Sequence, residues 1–175
     1  MANLIITKPL ENEYAPYYKK YIDLVPEDDI LKVLAVQKRG IKEFFDGLTE
    51  EQGSLRYSPE KWSVKDILGH LLEGERVFAF RALFFARKGE AQLPGYGQDD
   101  WVKEAGFNSV PLKMLAEEFD ITRETTLLLF RRFNELSWLN MGVSNNFNIS
   151  VRTIAYVMAG HASHHINVIK EKYLK

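Results

Sequence analysis

Ser150-Val-Arg-Thr-Ile-Ala-Tyr-Val-Met-Ala-Gly-His161-Ala-Ser-His-His165-Ile-Asn-Val-Ile-Lys-Glu-Lys-Tyr173 decides how the chain folds. It holds no proline and one glycine, and its apolar residues recur at the three- and four-residue spacing of an amphipathic helix. At about 100° per residue, with His161 at zero, Ile154 falls near 20°, Val157 near −40°, Met158 near 60°, His165 near 40° and Val168 near −20°. Both histidines therefore lie inside the stripe that such a helix turns toward a core. Residues one turn apart stand one above the other and can share one divalent ion. The plainer alternative is a pair of core imidazoles, each with a hydrogen-bond partner, and this helix alone leaves both readings open.

The third imidazole shifts the balance. The chain has four histidines, and the one outside this cluster, His70, belongs to a helix with a well-marked start. Ser63 can cap it, Asp66 can bond back as in a capping box, and Trp62 can pack on Ile67 as a hydrophobic staple. Measured from His70, Ile67 lies near 60°, Gly74 near 40° and Val77 near −20° at about 100° per residue, so His70 faces inward. Gly74 leaves room one turn further on. Glu73 and Asp66 flank this face and could accept the second N–H of a ligating ring; otherwise Glu73 is solvated and Asp66 only caps. Arg81 also faces inward, about 16 Å along the axis, and is expected to pair with a carboxylate. Three histidines with one open position form a known catalytic zinc arrangement.

A chain of 175 residues favours one domain with a proper core. The absence of cysteine excludes disulfides, a thiolate nucleophile and a Cys-based zinc site. The net charge of −1 gives no basic face for nucleic acid or an anionic membrane. With no signal-peptide pattern and no apolar run long enough to span a bilayer, a cytoplasmic protein is expected.

Residues 1–27, with three prolines and four tyrosines, read as an N-terminal arm whose rings pack on the body, and one phenol could reach a pocket. Residues 28–175 read as the main domain. Its first helix runs from Asp28 or Asp29 to Gly47 and buries Ile30, Leu34, Ile41, Phe44, Phe45 and Leu48. From Lys88 to Ser109 glycine and proline break the pattern, leaving a long loop that is functional or a crossover. The third helix starts near Ser109 and buries Leu112, Leu115, Phe119, Thr122, Thr126, Leu129 and Phe133; its threonines either bond back to the helix or line a polar pocket. After Leu136 a polar loop leads to the last helix at Ser150. Four long helices and no convincing strand predict an all-α four-helix bundle, a fold that builds metal sites from facing helices.

Ala162 occupies the place where the zincin motif puts its glutamate base, which argues against a peptidase. His164 lies about 100° from His165, so it is the poorest ligand, suited to the rim as an acid or base. Glu73 is a second tentative catalytic residue. Neither a phosphate loop nor Gly-x-Ser-x-Gly is present.

The run Trp62-Ser-Val-Lys-Asp-Ile-Leu-Gly-His70-Leu-Leu-Glu-Gly-Glu75, followed much later by Gly160-His161-Ala-Ser-His-His165-Ile, resembles the DinB/YfiT-like superfamily. So do the arm segment Tyr-Ile-Asp-Leu-Val-Pro, Arg81-Ala-Leu and the loop Leu-Pro-Gly-Tyr96, and the likeness covers nearly the whole chain. The resemblance implies a bundle of up-down-down-up order, with a long crossover between the second and third helices. It also implies a divalent ion, zinc or nickel, on His70, His161 and His165, and a homodimer. The substrate implied is a small molecule, including a low-molecular-weight thiol, in a transferase or hydrolase reaction; no DNA binding follows. Two other readings stay open: a non-catalytic, metal-stabilised bundle or binding module, and a plain helical protein whose histidines never meet.

Overall fold

The structure, a computed structural model, describes residues 5–26 and 28–175. Its helices are α1 (Lys19–Ile22), α2 (Ile30–Asp46), α3 (Glu50–Gly53), α4 (Val64–Ala86), α5 (Gln98–Ala105), α6 (Leu112–Phe130), α7 (Glu135–Leu139) and α8 (Val151–Lys172). One antiparallel hairpin, β1 (Met141–Ser144) and β2 (Phe147–Ser150), precedes α8. The fold is mostly helical, and the four long helices α2, α4, α6 and α8 form the body.

Local chemistry explains where these helices begin. The Ser63 side chain accepts from Asp66 N while Asp66 Oδ2 accepts from Ser63 N, the reciprocal cap legible in the sequence. Asp29 caps α2 by accepting from Lys32 N, and Ser150 caps α8 by accepting from Thr153 N. The chain then packs α2 on α6, and α4 on both α6 and α8. Glu50 joins Lys65 on α4 and the first amide of α6 at Leu112, and Tyr173 at the end of α8 donates to Trp62 O just before α4.

The apolar core divides into two clusters. One contains Ile22, Leu34, Phe85, Phe130 and Ile154, and the other contains Phe45, Leu68, Leu115, Phe119 and Ile169. A polar belt runs between them. Arg123, 1% exposed, donates through Nε and Nη2 to the two oxygens of Glu75 at 2.7 and 2.9 Å, and through Nη1 to Gln37 at 2.9 Å. Gln37 in turn donates to Ala159 O and Ser163 Oγ. Four helices meet in this network, and removing one partner of so buried an ion pair typically costs about 3–5 kcal/mol.

Two segments differ from the sequence reading. The polar loop expected after Leu136 contains α7 and the hairpin. Ser144 pairs with Phe147, leaving Asn145 and Asn146 as a two-residue turn with φ of 52° and 67°, a left-handed conformation that asparagine tolerates. The turn signal was present, but its strands are too short for their alternation to stand out. The long loop after α4 contains α5, which ends at Gly106 with φ of 64°. Its Leu93 exchanges backbone bonds with Val143 and Asn145, fixing the loop to the hairpin. Among the described residues no helix is long and apolar enough to cross a membrane.

Candidate metal centre

His70 comes from the second turn of α4, and His161 and His165 come from successive turns of α8. Their Nε2 atoms converge: His161 stands 3.0 Å from His70 and 3.1 Å from His165. The three rings offer ligand atoms all within 4.8 Å of one another. A neutral imidazole nitrogen carries either one N–H or one lone pair. Nε2 of His161 can therefore hydrogen-bond one neighbour and must leave the other facing a like group, a conflict that a central cation removes by taking three lone pairs at once. Nitrogens about 2.0–2.1 Å from one ion stand about 2.9 Å apart at right angles and about 3.4 Å apart at the tetrahedral angle. The two spacings from His161 fall between those limits, and with the His70 and His165 nitrogens also within 4.8 Å of each other the three residues could hold a divalent ion once those two rings close on it.

Their surroundings keep the rings neutral, as ligation requires. Burial pushes His70 down to about 4 and His165 down to about 3, with neighbouring histidines adding to the shift at His165. Burial, reinforced by His165 and His70, holds His161 well below the usual histidine range.

Aromatic side chains wall the cluster. Trp62 lies 4.8 Å from the His70 ring and stacks at 24° to His165, while Phe78 and Tyr21 meet His161 edge-on at 6.0 and 5.5 Å. Tyr21 belongs to the arm, so one phenol does reach this region. The arm comes this close because position 160 is glycine: a Cβ there would fall 1.9 Å from the backbone oxygen of Tyr21. Gly74 makes room for the His161 ring and for the hydroxyl of Tyr96, which approach its missing Cβ position to 3.8 and 3.9 Å. Tyr96 comes from the loop after α4 and was not singled out for this position; the space left by Gly74 was the signal available.

His164 stands apart from the three converging nitrogens, with its ring 5.2 Å from His165. It lines a cavity of about 390 Å³ that also touches Trp62, His165, Asp99, Lys172 and Tyr173. Asp66 is not an acceptor for an imidazole, because its oxygens take bonds from Ser63 N, Arg56 and Asn108. Glu73 makes no hydrogen bond to a ring among the described residues; burial raises its carboxyl, and it bears electrostatically on Tyr96. Thr126 bonds back to Thr122 O at 3.1 Å, so helix α6 satisfies its own threonine. Arg81 departs from expectation: it pairs with no carboxylate among the described residues and donates instead to Pro94 O at 2.8 Å.

The model of the DinB superfamily matches residues 35–169. Among solved structures, one similar chain is YfiT from Bacillus subtilis, described as a probable metal-dependent hydrolase with an unusual four-helix bundle topology. It is 17% identical with a TM-score of 0.71, over 95% of this chain and 91% of that one. Another is a mycothiol-dependent maleylpyruvate isomerase, 8% identical with a TM-score of 0.67, over 83% of this chain and 61% of that one. At such identities the likeness shows the fold. No curated protein matches the chain.

Proposed function

The chain belongs to the DinB superfamily, and on that premise we propose that it is a divalent-metal-dependent enzyme acting on a small molecule. His70, His161 and His165 are its metal ligands, and the reaction is of the thiol S-transferase or hydrolase type. The observation that carries this reading is the convergence of three Nε2 atoms that hydrogen bonding alone cannot satisfy. A bound zinc or nickel ion would acidify a water or thiol that it holds, supplying a nucleophile near neutral pH.

The chain's own residues do the rest. Trp62, Phe78 and Tyr21 exclude bulk water from three sides of the cluster. His164, on the cavity wall and lowered by burial, is suited to exchange a proton with an entering substrate. Glu73, with its carboxyl raised, is the second acid or base of the proposal. The cavity is of a size that suits a small ligand. The names of the two similar structures support the thiol and hydrolase alternatives alike.

Two further parts of the proposal concern architecture. An up-down-down-up order is supported by the Glu50 contacts, which bring the starts of α4 and α6 to one end of the bundle, and by the bond from Tyr173 to Trp62 O. A homodimer is supported by exposed Phe80 and Leu83 on α4 and by Met114, Ile121 and Leu128 on α6, which recur at seven-residue spacing.

The test is metal analysis of protein purified without an affinity tag, followed by incubation with a panel of low-molecular-weight thiols and electrophiles. One ion per chain and turnover lost in His70→Ala support a transferase; turnover of ester or amide substrates without thiol supports a hydrolase. Metal that stabilises the fold without turnover supports a non-catalytic bundle. Substoichiometric metal unchanged by His161→Ala defeats the metal reading.

A further inference from the structure

Three arginines are drawn into the body of the protein, and two of them hold a carboxylate. Arg123 grips Glu75 and Arg152 grips Glu13. Arg81, only 8% exposed, grips none among the described residues. Its recorded bond is one N–H to Pro94 O at 2.8 Å, and its Cζ lies 5.9 Å from the ring of Tyr96. The ionisable groups that bear on it are phenols, Tyr18 and Tyr96. A guanidinium presents five N–H donors in a planar fork, so most of its hydrogen-bonding capacity is unused. Among the described residues, the polar side-chain atoms sealed from solvent without a partner are Trp138 Nε1 and Ser144 Oγ; the free nitrogens of Arg81 are not among them and open on accessible space.

The position of this fork gives it a function. Helical side chains lean toward the N-terminus of their own helix, so the Arg81 head leans back toward Gly74. The guanidinium lies over the Tyr96 ring, 5.9 Å from its centroid, and the Tyr96 hydroxyl lies 3.9 Å from the missing Cβ position of Gly74, where the His161 ring also lies. Tyr96 therefore borders both the unused donors, through its ring, and the imidazole cluster, through its hydroxyl. A staple for the 88–97 loop needs only the bond to Pro94; it does not account for a buried, permanently charged fork.

We propose that Arg81, against the Tyr96 ring, is an anion subsite that binds a carboxylate at one end of a ligand whose reactive end lies at the three imidazoles. A carboxylate fits the fork through two parallel hydrogen bonds and supplies the missing counter-charge. The substrate class is thus an acidic small molecule. The inference rests on the metal-site reading only for where the other end of the ligand sits.

The test is calorimetric binding of mercaptoalkanoates, from mercaptoacetate to mercaptooctanoate, each against its own amide. The same titrations with the thiol-free alkanoates and amides use zinc-loaded and chelator-treated protein. In the unsubstituted protein at least one carboxylate binds about tenfold or more tightly than its amide, as a charge-assisted hydrogen bond provides, and the preference persists without thiol or zinc. Arg81→Gln removes that preference while leaving amide affinity unchanged, and Arg81→Lys keeps part of it. Equal binding of acid and amide at every length, no carboxylate binding, or a preference surviving in Arg81→Gln overturns the proposal. The unsubstituted comparison decides the matter even if the variants fold poorly. Should the thiol contribute nothing while the carboxylate preference stands, the thiol-transfer branch of the proposed function fails and this inference does not.

Discussion

Nε2 of His161 has two like nitrogens at hydrogen-bond distance and can serve only one, so this single atom carries the case for a central cation. Its neighbours, His70 buried and His165 half-buried, are rings whose charged form is disfavoured, with a consequence for the metal-free protein. Histidines that titrate near 6.5 when unfolded titrate at about 4 at His70 and about 3 at His165 in the fold. The unfolded chain therefore takes up protons first. The stability linked to these rings is complete above about 6.5 and is lost as pH falls through 6.5 toward the folded values. In chelator-treated protein the urea midpoint should fall steadily from neutral pH to about pH 4, and His70→Gln should flatten that fall. A midpoint equally steep in the variant would mean that other groups govern the acid response. Asp66 teaches the complementary lesson at this scale: its place beside His70 suggested support for a ligand, but three donors already occupy it.

Helix α8 carries two of the three imidazoles, and its small residues decide what approaches them. Gly160 lets the backbone of α1 lie directly on α8, while Gly40, exposed in α2, has nothing within 4 Å of its missing Cβ. The two glycines should therefore respond oppositely to alanine. Gly160→Ala must push the arm away and should lower unfolding free energy by about 1–3 kcal/mol; Gly40→Ala should raise it by about 0.8–1 kcal/mol through helix propensity alone. Denaturant unfolding measures both. A neutral Gly160→Ala would show that the arm can leave α8 without loss. The helix starts at Ser63 and Ser150 were readable because the caps are local; α5 and the hairpin were not, because both are short and are held by contacts with distant segments such as Leu93 to Val143.

At the scale of the whole molecule, the polar belt lies between the two apolar clusters, and its Glu75 and Arg123 line one small cavity together with His161 of the three-histidine cluster. Arg123 occupies the buried face of α6, where pattern reading selected threonines and apolar residues, because a long charged side chain is ordinarily counted as solvated. Its burial depends on Glu75 arriving from another helix. Exposed apolar side chains stand at positions 80 and 83 on the solvent side of α4 and at 114, 121 and 128 on that of α6. If these side chains join two copies, light scattering should give twice the chain mass, and Ile121→Asp with Leu128→Asp should return the monomer without loss of helix content. A monomer in the unsubstituted protein would sink the dimer.

The helical periodicity, the caps and the inward phase of His70, His161 and His165 were settled by the sequence, since each depends on residues within a few turns of one another. The tertiary structure alone decided the rest. It brought His70 to a helix ninety-one positions away, set Tyr21 and Tyr96 beside the rings, paired Arg123 with Glu75 and left Arg81 without a carboxylate. Local pattern can state which face of a helix is buried. Which side chain waits on the other side is fixed only when separate helices pack, because the partner of a buried group is chosen by proximity in space.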